Sequence, residues 1–423
     1  MKVAIINQPW SYVHPPVRAA DSIALWSDEI ARRLVKQGCK VTFYSRICKE
    51  EPLIGTHQGV VYRRQSVSFD RWLRAGLALF DERGLKSPRK PFFASRWYYC
   101  QFIRRVIADL QKRPPDIVHI HNFSQFVPMI RRALPRCRIV LHMHAEWLAK
   151  LDRGLIAPRL LDSDSIIFCS NYFAQQARAA WPQYAHRFHV VYNGVTLSEF
   201  EPSETWSELD PITRRILFVS RLSPDKGVHI LVEAFNRIVR RFPQVELKIV
   251  GPWAMIPKSF CIAHSHESMV RDLRAFYTRE PYVNLLRRLM TEEARRRIEI
   301  TGVISREELI RMYHSAHVLA LPSIYPEGFG IPIVEAAACR VPAVVTRRGG
   351  MPEVVEDGKT GIICDAANAD SLAEAILRLL ADEPLRRSMG RAAFERTERL
   401  FTWERLTESV LERYHEALGQ PAS

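Results

Sequence analysis

The chain has 423 residues, 47% hydrophobic and 25% charged, which excludes disordered, collagen-like and coiled-coil classes. That length divides into two domains, or three, each able to bury its own core. Its charge is unbalanced: 61 Lys+Arg against 46 Asp+Glu leave +15, so an anionic partner is expected, with nucleic acid, a membrane surface and a phosphorylated substrate all open on composition alone.

In chain order, residues 3–6 read as a strand. A helix capped by Ser22 follows, with Ile23, Trp26, Ile30 and Leu34 on one stripe, and Gly38 stops it. Strands are expected at 41–44, 117–120, 139–142, 166–169 and 189–192. A polar stretch with two prolines, 198–213, reads as a linker. The strand series then restarts at 216–220, 246–250, 298–301, 318–321 and 343–346, with helices between; one carries Val228, Leu231, Phe235, Ile238 and Val239 on a single face. Strands separated by helices imply βαβ units and parallel sheets, hence two doubly wound domains in tandem. Ligands of such sheets bind beyond the carboxyl ends of the strands, so the cleft between the domains is the expected active site.

Two segments break the alternation. Residues 61–113 hold 13 Lys+Arg and 4 Asp+Glu, +9 of the net charge, interleaved with Phe69, Trp72, Phe80, Phe92, Phe93, Trp97, Tyr98, Tyr99 and Phe102. Residues 252–297 read as a long insertion between two strands of the second domain. The eight cysteines form no CxxC pair and are expected to be free thiols in a reducing compartment. The N-terminus enters a strand with no signal-like region, and no apolar run approaches the ~18 residues of a membrane span, so a cytoplasmic location is expected.

The most informative stretch is 322–361, PSIYPEGFGIPIVEAAACRVPAVVTRRGGMPEVVEDGKTG. A strand ends at Leu321, a loop follows, and Gly330 precedes a helix running through Glu335. Free amides and the positive end of the helix dipole suit a phosphate there. Glu327 lies in the loop, and Glu335 about two turns into the helix, where a carboxylate can accept bonds from a diol. With Arg221-x4-Lys226 in FVSRLSPDKG, the Asn193-Gly194-Val195 turn in VVYNGV and the terminal FTWERLTESVLERYHEAL, the chain resembles a retaining glycosyltransferase of family 4. The match is close over 190–251 and 298–420 and loose over the first ~190 residues.

The resemblance implies a GT-B fold: α/β, two doubly wound Rossmann-like domains facing a cleft. An acceptor-binding domain over 1–200, a nucleotide-sugar domain over 201–400 and a C-terminal helix over 401–423 that crosses back to the first domain are expected. It implies transfer of a hexose from a UDP- or GDP-sugar to a saccharide or lipid-linked acceptor, with retention by front-face attack, in cell-surface polysaccharide or glycolipid synthesis. Arg221 and Lys226 would hold the diphosphate. Glu327 would hold sugar hydroxyls and Glu335 the ribose. Gly328, Phe329, Gly330 and Ile331 would line the donor, with backbone amides from Phe329 and Gly330, while Gly302 and Val303 border the base. His144 in IVLHMHAEW would face the donor sugar.

No metal or other cofactor is expected. His119-x-His121 and His142-x-His144 have no accompanying Cys or carboxylate ligands, His264-x-His266 near Cys261 is no stronger, and Asp162-Ser163-Asp164 reads as a helix-to-strand turn. Two departures from the family stand out. The first loop, Gln8-Pro9-Trp10 to Arg18, lacks the usual Gly-Gly pair, and Arg18 is the expected substitute at the phosphate; Arg340 replaces a glycine before Val341-Pro342. The first departure leaves open a catalytically inactive homologue that binds a nucleotide sugar or a membrane as an assembly factor. An epimerase would need a site rich in histidine and carboxylate, and a phosphorylase a pyridoxal lysine and a longer chain. The basic aromatic segment suggests docking on an anionic membrane, with a solvated helical surface over core aromatics as the alternative. Nucleic acid is not expected, because no binding motif is present.

Overall fold

The computed structural model describes residues 1–11, 13–15, 22–47, 51–82, 87–202, 213–260 and 262–420, without the side chains of 77–82, 259 and 264. The proposed role of Arg18, most of the linker, Cys48, Cys261 and the Phe80 and His264 side chains lie outside them. The chain divides into two compact units, Met1–Asn193 with Trp403–Ser423, and Gly194–Thr402.

The first unit holds eight strands: β1 Lys2–Ile6, β2 Lys40–Arg46, β3 Ile54–His57, β4 Val60–Gln65, β5 Ile117–His121, β6 Arg138–Met143, β7 Ser165–Phe168 and β8 Phe188–Val190. They lie in the order β3-β4-β2-β1-β5-β6-β7-β8, all parallel except the β3–β4 pair. The inner strands are near-continuous apolar runs because helices cover both faces. The helix Ser22–Lys36 buries Trp26, Ile30 and Leu34, the positions its periodicity marks. Trp403, Leu406, Val410 and Tyr414 of the final helix, Trp403–Leu418, join the same core.

β3 and β4 are absent from the sequence reading. Val60, Tyr62 and Arg64 alternate inward, but paired arginines at 63 and 64 mask the period, and β3 is a short exposed edge. Inward-pointing Arg64 is neutralised by Glu51 at 3.0 Å. Within 61–113 most of the aromatics are core: Phe92, Phe93, Tyr98, Tyr99 and Phe102 are buried, whereas Phe69, Trp72 and Trp97 are exposed.

The second unit holds six parallel strands: β9 Arg214–Val219, β10 Val245–Val250, β11 Ile298–Gly302, β12 Val318–Leu321, β13 Ala343–Thr346 and β14 Gly361–Cys364, in the order β11-β10-β9-β12-β13-β14. Only β14 is missing from the sequence reading; its four residues, GIIC, are half-buried in the middle. The insertion between β10 and β11 forms short helices at Ser268–Asp272, Tyr282–Leu289 and Glu292–Arg295. Tyr282 Oη lies 2.9 Å from His229 Nδ1, and Asn236 donates to the Leu289 carbonyl at 2.7 Å. The insertion is therefore part of this unit's packing. Residues 194–200 belong here too, with Val195 N–H donating to the Phe401 carbonyl at 2.9 Å. The described cysteines are free, all buried but half-buried Cys339. No helix among the described residues is long and apolar enough to cross a membrane.

Candidate active site

In the second sheet the chain runs outward from β9 through β10 and β11, then returns to place β12 on the other side of β9. At such a reversal the connections leave on opposite faces and open a crevice at the strand ends. Arg221 and Lys226 follow β9, and Glu327 follows β12, so the fold brings all three to this switch point. The Lys226 ammonium pairs with Glu327 Oε2. Arg221 donates to the Ala254 carbonyl (2.9 Å), Ser223 Oγ (3.3 Å) and Asp225 Oδ2 (3.0 Å). Its side chain stays about a third exposed, at 31%.

Backbone contacts hold the two loops together. The Ile324 and Tyr325 amides donate to the Asp225 carbonyl at 2.9 and 3.1 Å, and Gly350 N–H donates to the Glu327 carbonyl at 2.8 Å. Gly349 has φ +60°, and a Cβ there would meet the Glu327 carbonyl oxygen at 2.0 Å. Gly227, φ +70°, is equally constrained, because its Cβ would lie 1.9 Å from the Pro322 oxygen. These glycines allow backbone contact that no side chain permits.

Glu335 lies in the helix Ile331–Ala338 and is 4% exposed. Arg306 Nη1 donates to one of its oxygens at 2.5 Å and Tyr313 Oη to the other at 2.7 Å. Arg306 also holds Glu199 at 3.0 and 3.1 Å. The flanking carboxylates outweigh burial and raise the Arg306 pKa, while burial and Glu335 push the Tyr313 phenol up. Arg306, Tyr313 and Asp225 are site residues that sequence reasoning missed. Asp225 had a signal, standing four residues after Arg221; the other two meet Glu335 only through the packing of the helix Arg306–Ser315. Gly330 caps the Glu335 helix with φ +92°, and Phe329 is buried with its ring against Phe401. Ile331 begins that helix nearly buried, and Gly328 is half-buried. Gly302 ends β11, and Val303 after it is 63% exposed.

His144 belongs to the first unit, just beyond β6. The β5–β6 register sets His121 opposite His142, so the two His-x-His pairs form one cluster. His119 Nδ1 lies 2.7 Å from Tyr414 Oη, and His121 Nδ1 lies 3.0 Å from His144 Nε2. Trp26 packs against all four rings. Burial pushes His119 and His144 down to about 3, and His121 and His142 also fall well below the ordinary value. Nitrogens of His119, His121 and His142 lie within 4.8 Å of one another, among the described residues the one group of three His, Cys, Asp or Glu close enough to hold a metal. Asp164 caps the turn into β7, taking the Ile139 amide at 2.7 Å and pairing with Arg131 and Arg138.

Residues 207–396 match the family "Glycosyl transferases group 1", and residues 26–199 match "Glycosyltransferase Family 4". A D-inositol 3-phosphate glycosyltransferase of Nocardioides sp. is 25% identical over 99% of this chain and 90% of its own length. The structure of sucrose-phosphate synthase from Thermosynechococcus elongatus superposes with a TM-score of 0.74 at 20% identity, covering 99% of each chain. Anabaena HepE, solved in complex with UDP and glucose, gives 0.66 at 18% identity over 98% of this chain and all of its own. Two parallel-sheet units of this kind are the GT-B fold. With both family matches spanning most of its length, the chain belongs to glycosyltransferase family 4.

Proposed function

We propose that this glycosyltransferase moves a hexose from a nucleotide diphosphate sugar to a saccharide or lipid-linked acceptor, with retention of configuration, in cell-surface polysaccharide or glycolipid synthesis. The observation that carries it is the grouping of Arg221, Lys226 and Glu327 at the switch point of the second sheet. Two cations at strand ends suit a diphosphate and stabilise charge growing on the leaving group. UDP in HepE supports the donor class. Lys226 exchanges part of its Glu327 contact for phosphate oxygens, leaving Glu327 for the hydroxyls of the sugar. The Phe329 and Gly330 amides line the donor, and Gly302 and Val303 border its base. Glu335 takes the ribose by sharing oxygens now held by Arg306 and Tyr313. His144 serves the sugar as a neutral imidazole. In this reading no metal takes part, because Arg221 and Lys226 supply the positive charge at the diphosphate.

The first unit docks on an anionic membrane at the cytoplasmic face through exposed Phe69, Trp72 and Trp97, which stand beside exposed Arg71 and Arg96. Such rings suit the interface, and each nearby cation contributes ~1 kcal/mol. Flotation with phosphatidylserine vesicles at low and high salt tests this; absence from the vesicles at both would remove it. Donor hydrolysis across UDP-, GDP- and ADP-sugars, with Glu327→Ala as control and the product anomer read by NMR, tests the chemistry. Nucleotide binding without turnover on any donor would instead favour an inactive homologue.

A further inference from the structure

Asp225 stands between the two cations of the crevice, in the turn Pro224–Lys226 that follows β9. It is 2% exposed, a degree of burial that carboxylates rarely reach unless they are paired. Its Oδ2 accepts from Arg221 Nη2 at 3.0 Å, and Arg221 is its one ion-pair partner among the described residues. Oδ1 is buried and has no hydrogen-bond partner among those residues. A buried carboxylate with an idle oxygen adds little to stability, because loss of hydration offsets most of the attraction within the pair. Core packing therefore gives no account of why an acid stands at this strand end.

The same residue holds the facing loop by its main chain. Its carbonyl accepts from the Ile324 and Tyr325 amides at 2.9 and 3.1 Å, in the loop that leads to Glu327. Carboxylate and carbonyl thus have separate tasks, and a change of side chain leaves the backbone contact in place. Arg221 depends on the carboxylate more than on its other acceptors. Ser223 Oγ and the Ala254 carbonyl are neutral and both take Nη1, whereas Asp225 takes Nη2 and is the one charged acceptor of this guanidinium among the described residues. A hydrogen bond to an ionised acceptor is roughly twice as strong as a neutral one. Asp225 is therefore what sets the plane of the fork.

We propose that Asp225 is a positioning residue for the donor diphosphate: it fixes the Arg221 guanidinium so that the remaining N–H groups meet the phosphate that bears the sugar. The assignment rests on the donor reading above and adds the group that aims the cation. Charge and geometry make opposite demands here. By charge alone, an anion behind the cation repels a diphosphate, so its removal would strengthen binding, most for the ligand with more phosphate. By geometry, its removal frees a long side chain that must then be ordered on binding, and the hold on the second phosphate weakens. Geometry is the larger effect, because the repulsion acts across a solvent-open crevice whereas the bond to Nη2 acts at contact.

The test is calorimetric titration of the full chain with UDP and UMP, whose ratio of dissociation constants reads the hold on the second phosphate. The wild-type chain is expected to bind UDP at least tenfold more tightly than UMP. Arg221→Met should remove most of that ratio, and Asp225→Ala should lower it at least threefold. Asp225→Asn, which loses the charge but keeps an acceptor oxygen, should retain more of the ratio than Asp225→Ala. In the Arg221→Met background Asp225→Ala should lower the ratio no further, since a residue acting through the guanidinium then has nothing to act on. A merely structural role would weaken both nucleotides together and leave the ratio unchanged. An unchanged or raised ratio in Asp225→Ala, an equal loss in the Arg221→Met background, a wild-type ratio near one, or failure of both Asp225 variants to fold would each overturn the proposal. A wild-type chain that binds neither nucleotide would remove the donor reading and this proposal with it, whereas tight UDP binding with a ratio indifferent to Asp225 removes the proposal alone.

Discussion

Stability of the first unit should fall steeply in mild acid, because His119, His121 and His142 are fully buried and neutral. In the unfolded chain each titrates near 6.5; in the folded chain His119 is pushed down to about 3 and the other two well below their ordinary value, first by burial and then by neighbouring imidazoles. Below 6.5 the unfolded state therefore binds more protons than the native state, so stability is lost as pH falls through that value. At pH 5 each histidine contributes a loss of about 2 kcal/mol relative to pH 8, roughly 6 kcal/mol for the three, with a slope near 4 kcal/mol per pH unit below pH 5.5. The groups facing the cluster are Tyr414 and Trp26, and among the described residues no carboxylate contacts the rings to offset the loss. Urea unfolding followed by tryptophan fluorescence at half-unit steps from pH 8 to 5 measures it. Seven of the nine tryptophans lie in the first unit, so the signal reports mainly there. His121→Gln should lower the slope by about 1.4 kcal/mol per pH unit, one proton's worth. A flat profile between pH 6.5 and 5, or a slope indifferent to that substitution, would refute the reasoning.

Four further outcomes follow from the second unit and the chemistry proposed for it. Gly349→Ala places a Cβ against the Glu327 carbonyl at a positive φ, and should lower stability by about 1–3 kcal/mol while weakening UDP binding, read by thermal melting and titration. Lys226→Met should raise the dissociation constant for a UDP-sugar at least tenfold with an unchanged circular dichroism spectrum; unchanged affinity would end its role at the diphosphate. Tyr313→Phe removes a 2.7 Å bond from buried Glu335 and should cost about 1–3 kcal/mol in urea unfolding, with no loss counting against the pairing. Turnover should be insensitive to EDTA, and metal analysis should find no stoichiometric zinc; a stoichiometric ion would reassign the histidine cluster.

Much of the fold was legible because its elements are locally encoded. Apolar runs at 318–321 and 343–346 coincide with β12 and β13, since a strand covered on both faces must be apolar throughout. β4 escaped because two arginines interrupt its alternation, and one of them points inward only because Glu51 meets it. In the basic segment five aromatics enter the core and three stay in solvent among the described side chains.

What the sequence determined by itself was the alternation of strands and helices, the motif set that marks the family, and the residues of the Glu-x7-Glu loop, because each is a pattern over a few turns of chain. The tertiary structure decided which of those residues meet. Lys226 reaches Glu327 across 101 positions, and Arg306 reaches Glu335 across 29. Histidines on β5, on β6 and just beyond it became one cluster through strand register, and Arg159 became a buried cation with no carboxylate at ion-pair distance among the described residues through the packing of its helix against Ala94 and Ser124. The opening charge surplus is divided in the same way. Composition states that there are more cations than anions, but only burial and distance show which buried arginine among the described residues has no counter-ion.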